Sequence, residues 1–190
     1  TRAQGNVSEE IYNHYQGVAR FWRAYFYLSK VQTFGNVPWI DHVLDIEDEV
    51  LYAPCDDREF VMSKVLEDLN FACQNLSGDT KFDGVINKWV ALAFKSRVCL
   101  YEGTFRKYHK VNPSTNVAWN NEHGTANDFL NECVAASEEL MNSGKFALHS
   151  SYYDLFHHTN IASSKEAIWW SDYDSGELNR MHELTWVVNS

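Results

Sequence analysis

No run of residues in this chain approaches the roughly 18 apolar positions of a membrane-spanning helix. None of the four cysteines, Cys55, Cys73, Cys99 and Cys133, stands in a CxxC or CxxH spacing, so no zinc site is expected. There is no phosphate-binding P-loop, no HExxH helix and no strained serine elbow. Positive charge is scarce: 16 Lys and Arg face 26 Asp and Glu, a net charge of −10 with no basic stripe. That argues against a nucleic-acid partner, whose phosphates demand clustered Lys and Arg. A signal-peptide pattern is missing at Thr1 as well. Because the chain opens on TRAQGNVSEE and closes on WVVNS, it is expected to be a segment of a longer protein, and the missing signal fixes no compartment.

What is present is apolar and aromatic. The 190 residues are 45% hydrophobic, enough for one globular domain with a sizeable core. Seven Trp, ten Tyr and eleven Phe exceed what most helical proteins carry, and large rings are expected first of all to fill that core. Cys73, Cys99 and Cys133 fall on apolar helix faces and are expected to behave as small hydrophobes. Residues 41–49, DHVLDIEDE, read as a solvated acidic loop.

Hydrophobic spacing places four long helices. Ser8 is a plausible N-cap for the first. Ile11, Tyr15, Val18, Trp22, Tyr25 and Ser29 recur at helical steps, and Phe21, Ala24, Leu28 and Val31 form a second stripe. Two stripes predict a helix buried on both sides. Gly35 and Pro38 stop it, and residues 36–54 read as a loop with a short extended piece. Asp56-Asp57-Arg58-Glu59 resembles a capping box opening a second helix with Val61, Val65, Leu69, Ala72 and Leu76 on one face. Asn87 caps a third, expected to end at Glu102 before Gly103, with Ala93, Ser96 and Leu100 on its inner face. Residues 106–125 read as a polar insertion around Trp119. A fourth helix over 126–143 carries Phe129, Cys133, Ala136 and Leu140, and Gly144 ends it. A helical turn over 152–156 and an extended segment or strand over 166–171 follow. The fold class is all-α: two helix pairs, about 8–76 and 87–143, with long loop insertions and an irregular tail over 145–190. The logic is tetratricopeptide-like, in which each pair must stack on a neighbour to bury its apolar face.

Five blocks in register resemble a known family. ARFWRAYFYLSKVQTFGNVPW is similar to its "RA…yf.l…fGdvP" segment, and DDREFVMSKVLEDLNFACQNL to the helix that follows. NKWVALAFKSRVCLYEG resembles its "k.aA.alkaRv.LY.g" helix, SGKFAL with YYDLF its "g.y.L…y..lF" ending, and KEAIWWSDYD its Glu-led segment. Asn36 stands where the family usually has Asp, and Lys88-Trp89 replaces commoner small residues. The family is that of the SusD/RagB nutrient-binding outer-membrane lipoproteins. The resemblance implies a right-handed superhelix of tetratricopeptide-like pairs and a surface-exposed lipoprotein of Bacteroidetes-type bacteria. It also implies glycan capture, or sometimes peptide capture, for a TonB-dependent SusC-like transporter. The only membrane link implied is an N-terminal lipid anchor outside this sequence, since none of the four cysteines has a lipobox context.

Glycan binding calls for exposed rings that stack on sugar faces and for polar groups that pair the hydroxyls. The family offers no single binding motif, so candidates follow from expected exposure: Trp119 in VAWNNEHG, and Trp170, Tyr173 and Trp186 in the tail. Trp39 is expected to pack its turn, and Trp22 and Trp89 to lie in helix cores. Asp172 and Asp174 have the pairing of glycosidase carboxylates, but their spacing fits a polar turn and no catalysis is expected. His149, His157 and His158 make no expected metal site, because adjacent histidines point apart. No cofactor is expected. The competing readings are a helical scaffold that binds protein, with a polar concave groove in place of coplanar rings, and capture of peptide rather than glycan.

Overall fold

The computed structural model describes residues 5–78, 84–157 and 161–171. Within them the protein is all-α. Helices α1 (Glu9–Phe34), α2 (Arg58–Asn75), α3 (Lys88–Tyr108) and α4 (Ala126–Asn142) are followed by the short α5 (Tyr152–His157). Among the described residues no strand forms; residues 166–171 run as bends. The side-chain caps expected at Ser8 and Asn87 are in place, and a capping box that the sequence reading did not name opens α4. Ser8 Oγ accepts the Ile11 N–H, Asn87 Oδ1 accepts from Trp89 and Val90, and Thr125 and Asp128 close a reciprocal capping box on α4. Each satisfies amide groups that a helix terminus would otherwise leave bare. Gly35 terminates α1 with φ 77°, a conformation that side chains with a Cβ rarely adopt.

At α2 the cap differs from the expected Asp56–Glu59 box. Asp57 is the N-cap, accepting the Glu59 N–H at 2.8 Å. Asp56 is drawn away instead: its carboxylate accepts the Trp39 N–H at 2.7 Å, and it pairs with Val37 in an isolated antiparallel bridge. Asn36 Oδ1 accepts the Arg58 N–H at 3.1 Å, so the turn after α1 is sewn to the start of α2.

α1 lies along α2, α2 packs on α3, and α3 lies along α4. The core is continuous across these contacts. Phe21, Ala24, Leu28 and Val31 of α1 face Val61, Val65, Leu69 and Ala72 of α2, and Val90, Leu92, Val98 and Cys99 of α3 join them. The other stripe of α1 departs from expectation. Val18 packs against the core, but Ile11, Tyr15, Trp22 and Tyr25 are 48%, 68%, 44% and 44% exposed. The rings of Phe94 and Trp169 reach Trp22 and Tyr25 on that side of α1. Trp22 is therefore not a helix-core residue, whereas Trp89 packs against the core and donates its indole N–H to the Gly78 carbonyl at 2.7 Å.

α3 does not end at Glu102; it runs through Gly103 to Tyr108. Gly103 is a packing device. A Cβ there would stand 2.8 Å from Leu130 Cγ and 3.0 Å from the Ala126 carbonyl of α4. Ser96 serves the same seam, with its Oγ 2.8 Å from Ser137 Oγ, while Leu100 turns outward and is exposed. All four cysteines are free. Burial pushes the Cys73 and Cys99 thiols up to about 12.

Two expectations follow. Gly103→Ala lowers stability by about 1–3 kcal/mol through overpacking, although alanine is the better helix former by about 1 kcal/mol. Urea unfolding measures this, and an unchanged midpoint would mean that α3 and α4 separate freely. In thiol titration of the native chain, exposed Cys55 reacts promptly at neutral pH, and Cys73 and Cys99 react only on unfolding. Rapid labelling of either buried thiol in the native chain would contradict the packing described.

Candidate functional site

Four buried charges organise the molecule's centre. Arg58 and Glu59 come from the first turn of α2, and Glu102 and Arg106 from the last turns of α3. Arg58 Nη2 donates to Glu102 Oε2 at 2.5 Å, Arg106 Nε donates to Glu102 Oε1 at 2.7 Å, and Arg106 Nη1 lies 3.5 Å from Glu59 Oε2. The same Nη1 donates to the Gly124 carbonyl at 2.6 Å, and Glu59 Oε1 accepts the Asn120 N–H at 3.1 Å. Asn112, itself buried, donates to Asp57 at 3.2 Å and to Glu59 at 3.4 Å. The network thus holds the insertion between α3 and α4 from three points. Helical spacing explains the geometry: Glu102 and Arg106 are one turn apart on the face that meets α2.

Trp119 sits on this held insertion. It is half-buried, its indole N–H donates to the His109 carbonyl, and its ring meets the edge of Phe105 at 6.1 Å. Arg106 and Arg58 lie 5.3 and 5.7 Å from its centroid. Part of the ring is committed to the protein, and the remainder faces solvent.

A second place is an apolar trough of about 450 Å³ between the exposed side of α1, α3 and the tail. Tyr25, Phe94, Trp169 and Trp170 line it, with Arg97 and Glu166 supplying charge. Trp169 stands 5.9 Å from Trp22 and 6.4 Å from Tyr25, with ring planes at 64° and 87°. The rings wall a concavity; they do not form a flat platform. Trp170 is half-buried, and its carbonyl accepts the Gly84 N–H at 3.1 Å. Tyr173 and Trp186 lie outside the described residues, as do Asp172, Asp174 and His158. His149 Nδ1 faces the Ser151 carbonyl at 2.8 Å, and the His157 ring stacks on Tyr153 at 3.8 Å. Among the described residues no three His, Cys, Asp or Glu side chains converge as metal ligands.

A third place is a polar cleft, also about 450 Å³, on the opposite flank of α1 where it meets α2. Its floor is Asp68, whose side chain is 2% exposed and is gripped by Arg23 through Nε at 2.6 Å and Nη2 at 2.7 Å. Arg20, Gln16, Trp39 and Asp41 line it, with Lys64 and Glu67 at its rim. Trp39 packs its turn as expected, with its ring 4.4 Å from Tyr27 and the Arg23 guanidinium 4.8 Å from its centroid. Asp41 is shared with His42, whose Nδ1 faces Asp41 at 3.0 Å while Nε2 faces Asp48 at 2.8 Å. Both partners only accept, so the arrangement fits the imidazolium. Hydrogen bonds to Asp41 and then to Asp48 raise the His42 pKa above its ordinary value.

Neither this cleft nor the buried network was among the sequence candidates. The usable signal was a charge at a core position: Glu102 lies one turn from Cys99 and Val98, and Asp68 stands beside Leu69 on the core side of α2.

The sequence profile of a SusD-like family, described as starch-binding and associating with the outer membrane, matches residues 1–114. The fold is similar to that of a SusD-like protein from Bacteroides fragilis, with TM-score 0.67 and 24% identity over 92% of this chain and 30% of that one. A SusD superfamily protein from Bacteroides fragilis gives TM-score 0.63 and 18% identity over 90% of this chain and 32% of that one. A structure solved with a xylogluco-oligosaccharide gives 0.66 and 22% over 96% and 34%. The chain therefore spans 30–34% of the length of these structures. No protein of curated function matches it.

Breaking the buried network from one side should be costly, because the remaining charges lose their partner inside the protein. Glu102→Ala is expected to lower unfolding free energy by about 3–5 kcal/mol, read by urea or thermal unfolding. A loss below about 1 kcal/mol would show that the network behaves like a surface ion pair.

Proposed function

Since the chain belongs to the SusD-like family, we propose that it is part of a non-catalytic glycan-binding protein of an outer-membrane polysaccharide uptake system. In this reading it captures oligosaccharide and hands it to a TonB-dependent SusC-like transporter. It is held at the cell surface by a lipid anchor outside this sequence, and its helix pairs belong to a tetratricopeptide-like superhelix. The observation that carries the reading is the family match over residues 1–114, whose description is starch-binding. A structural relative solved with a xylogluco-oligosaccharide supports it. So does the trough, where the rings of Tyr25, Trp169 and Trp170 stand beside Arg97 and Glu166. Exposed rings supply apolar faces for sugar stacking, and the charged pair supplies partners for hydroxyls. Trp119 and Trp170 are the proposed ring contacts among the described residues, and Tyr173 and Trp186 are proposed with them.

A second reading, a helical scaffold that takes a peptide or protein, is favoured by one observation. The exposed rings of Trp22, Tyr25 and Trp169 are mutually steep, at 64–87°, rather than coplanar.

Affinity gel electrophoresis of the full-length protein against a broad set of polysaccharides separates the two readings. Retardation by at least one glycan is expected, weakened in Trp170→Ala or Trp119→Ala. Retardation unchanged in both variants would keep the function and move the ring contacts elsewhere. No retardation with any polysaccharide would reject glycan capture and leave the scaffold.

A further inference from the structure

We propose that the cleft between α1 and α2 binds the carboxylate of an acidic sugar, a hexuronate within a glycan, with Arg20 as the contacting residue and Arg23 as its positioning neighbour. The inference rests on the glycan-capture reading above and names the class of sugar.

The argument begins with pairing. Three carboxylates line the cleft, and each has its own cation: Asp68 has Arg23, Glu67 has Lys64 at 2.8 Å, and Asp41 has His42. Arg20 is the cation left over. Among the described residues its one ion-pair contact is Nη1 to Asp68 at 3.7 Å, beyond hydrogen-bonding distance, and Asp68 is already held by Arg23 through Nε and Nη2. Arg20 is nonetheless fixed in place, with its guanidinium 4.1 Å over the Phe71 ring. A planar guanidinium held by an aromatic face and lacking a bidentate partner is preorganised for a carboxylate.

The ring in the cleft points the same way. Trp39 is engaged by Tyr27 and by Arg23, so it does not offer the open face that stacking on a neutral sugar requires. Recognition here is by charge. Gln16 and Asp41 stand at the wall for hydroxyl contacts; Gln16 donates one of its two amide N–H groups to Tyr12 Oη. The volume, about 450 Å³, lies within the range of small-ligand pockets. In a chain of net charge −10, a site for an anion needs a local cation whose donors are not already taken by a carboxylate, and among the residues lining the cleft Arg20, which meets Asp68 only at 3.7 Å, is that cation.

The test is calorimetric titration of the full chain with oligogalacturonate, oligoglucuronate and oligomannuronate, each beside its methyl-esterified, uncharged form. Wild-type chain is expected to bind at least one acidic oligomer, more weakly when esterified and more weakly as salt rises from about 50 to about 500 mM. Arg20→Gln is expected to weaken that binding about tenfold or more, the scale of one charge-assisted contact. Arg20→Lys should fall in between, since it keeps the charge and loses the fork, and Lys88→Gln on the α3–α4 side should match wild type. Arg20 is half-exposed, so circular dichroism of the variants is expected to be unchanged. If Arg20→Gln does not fold, the Arg20→Lys comparison decides. Equal affinity for acid and ester, equal affinity in the Arg20 variants, or no binding of any uronate would each overturn the inference. Neutral glycan bound equally by wild type and Arg20→Gln, with no uronate bound, would sink this site and leave glycan capture standing. Binding of a peptide C-terminal carboxylate in place of every sugar would sink both.

Discussion

The molecule turns on the burial of two arginines and two glutamates at one point. Arg58, Glu59, Glu102 and Arg106 are all withdrawn from water, and each ion carries a desolvation cost of several kcal/mol that good pairing only partly offsets. The pairing here is close but incomplete. Among the described residues Arg58 Nε and Arg106 Nη2 find no hydrogen-bond partner, although Phe105 and Phe129 lie under the guanidiniums at 3.9 and 4.8 Å. Well-packed apolar residues in place of buried ion pairs are often neutral or stabilising in proteins. What the charges add is direction. Each accepts or donates along a fixed line, so the first turn of α2, the last turns of α3 and the backbone at Asn120 and Gly124 meet in one register. Apolar contact alone would tolerate sliding among these elements.

Much of the helical frame was legible because it depends on local chemistry. Ser8 and Asn87 carry oxygens that match the bare amides of a helix start, and Val61, Val65, Leu69, Ala72 and Leu76 repeat at the spacing of one buried face. The errors arose where a residue serves a distant neighbour. Gly103 reads as a terminator until Leu130 is seen against it, and Asp56 reads as a cap until Trp39 claims its carboxylate. The outer stripe of α1 has the composition of a buried face, and periodicity cannot say whether anything lies across it. For the candidate sites, loop composition nominated Trp119 and Trp170, while the cleft around Asp68 was not nominated because its parts lie on two helices and a turn far apart in sequence.

α1 divides the molecule's two open surfaces. Residues 16, 20 and 23 face the polar cleft, and residues 22 and 25 face the aromatic trough, nearly half a helical turn away. Between them runs the buried stripe of Phe21, Ala24, Leu28 and Val31. One rigid rod thus presents charge on one flank and rings on the other. Both flanks are positioned by the same core contacts with α2, so a change in that core shifts both surfaces together.

The close approach at Gly103 makes three positions on two helices into one unit of variation. The absent side chain at 103 is the space that Leu130 occupies, and the Ala126 carbonyl marks its far wall. A descendant of this chain that gained a methyl at 103 would need a shorter side chain at 130 in the same step, or would have to tilt α4 away. Tilting α4 would drag Thr125 and the Gly124 carbonyl with it, because that carbonyl is held by Arg106. Sequence drift along this seam is therefore coupled to the shape of the Trp119 insertion, several residues and one loop away from where the substitution falls.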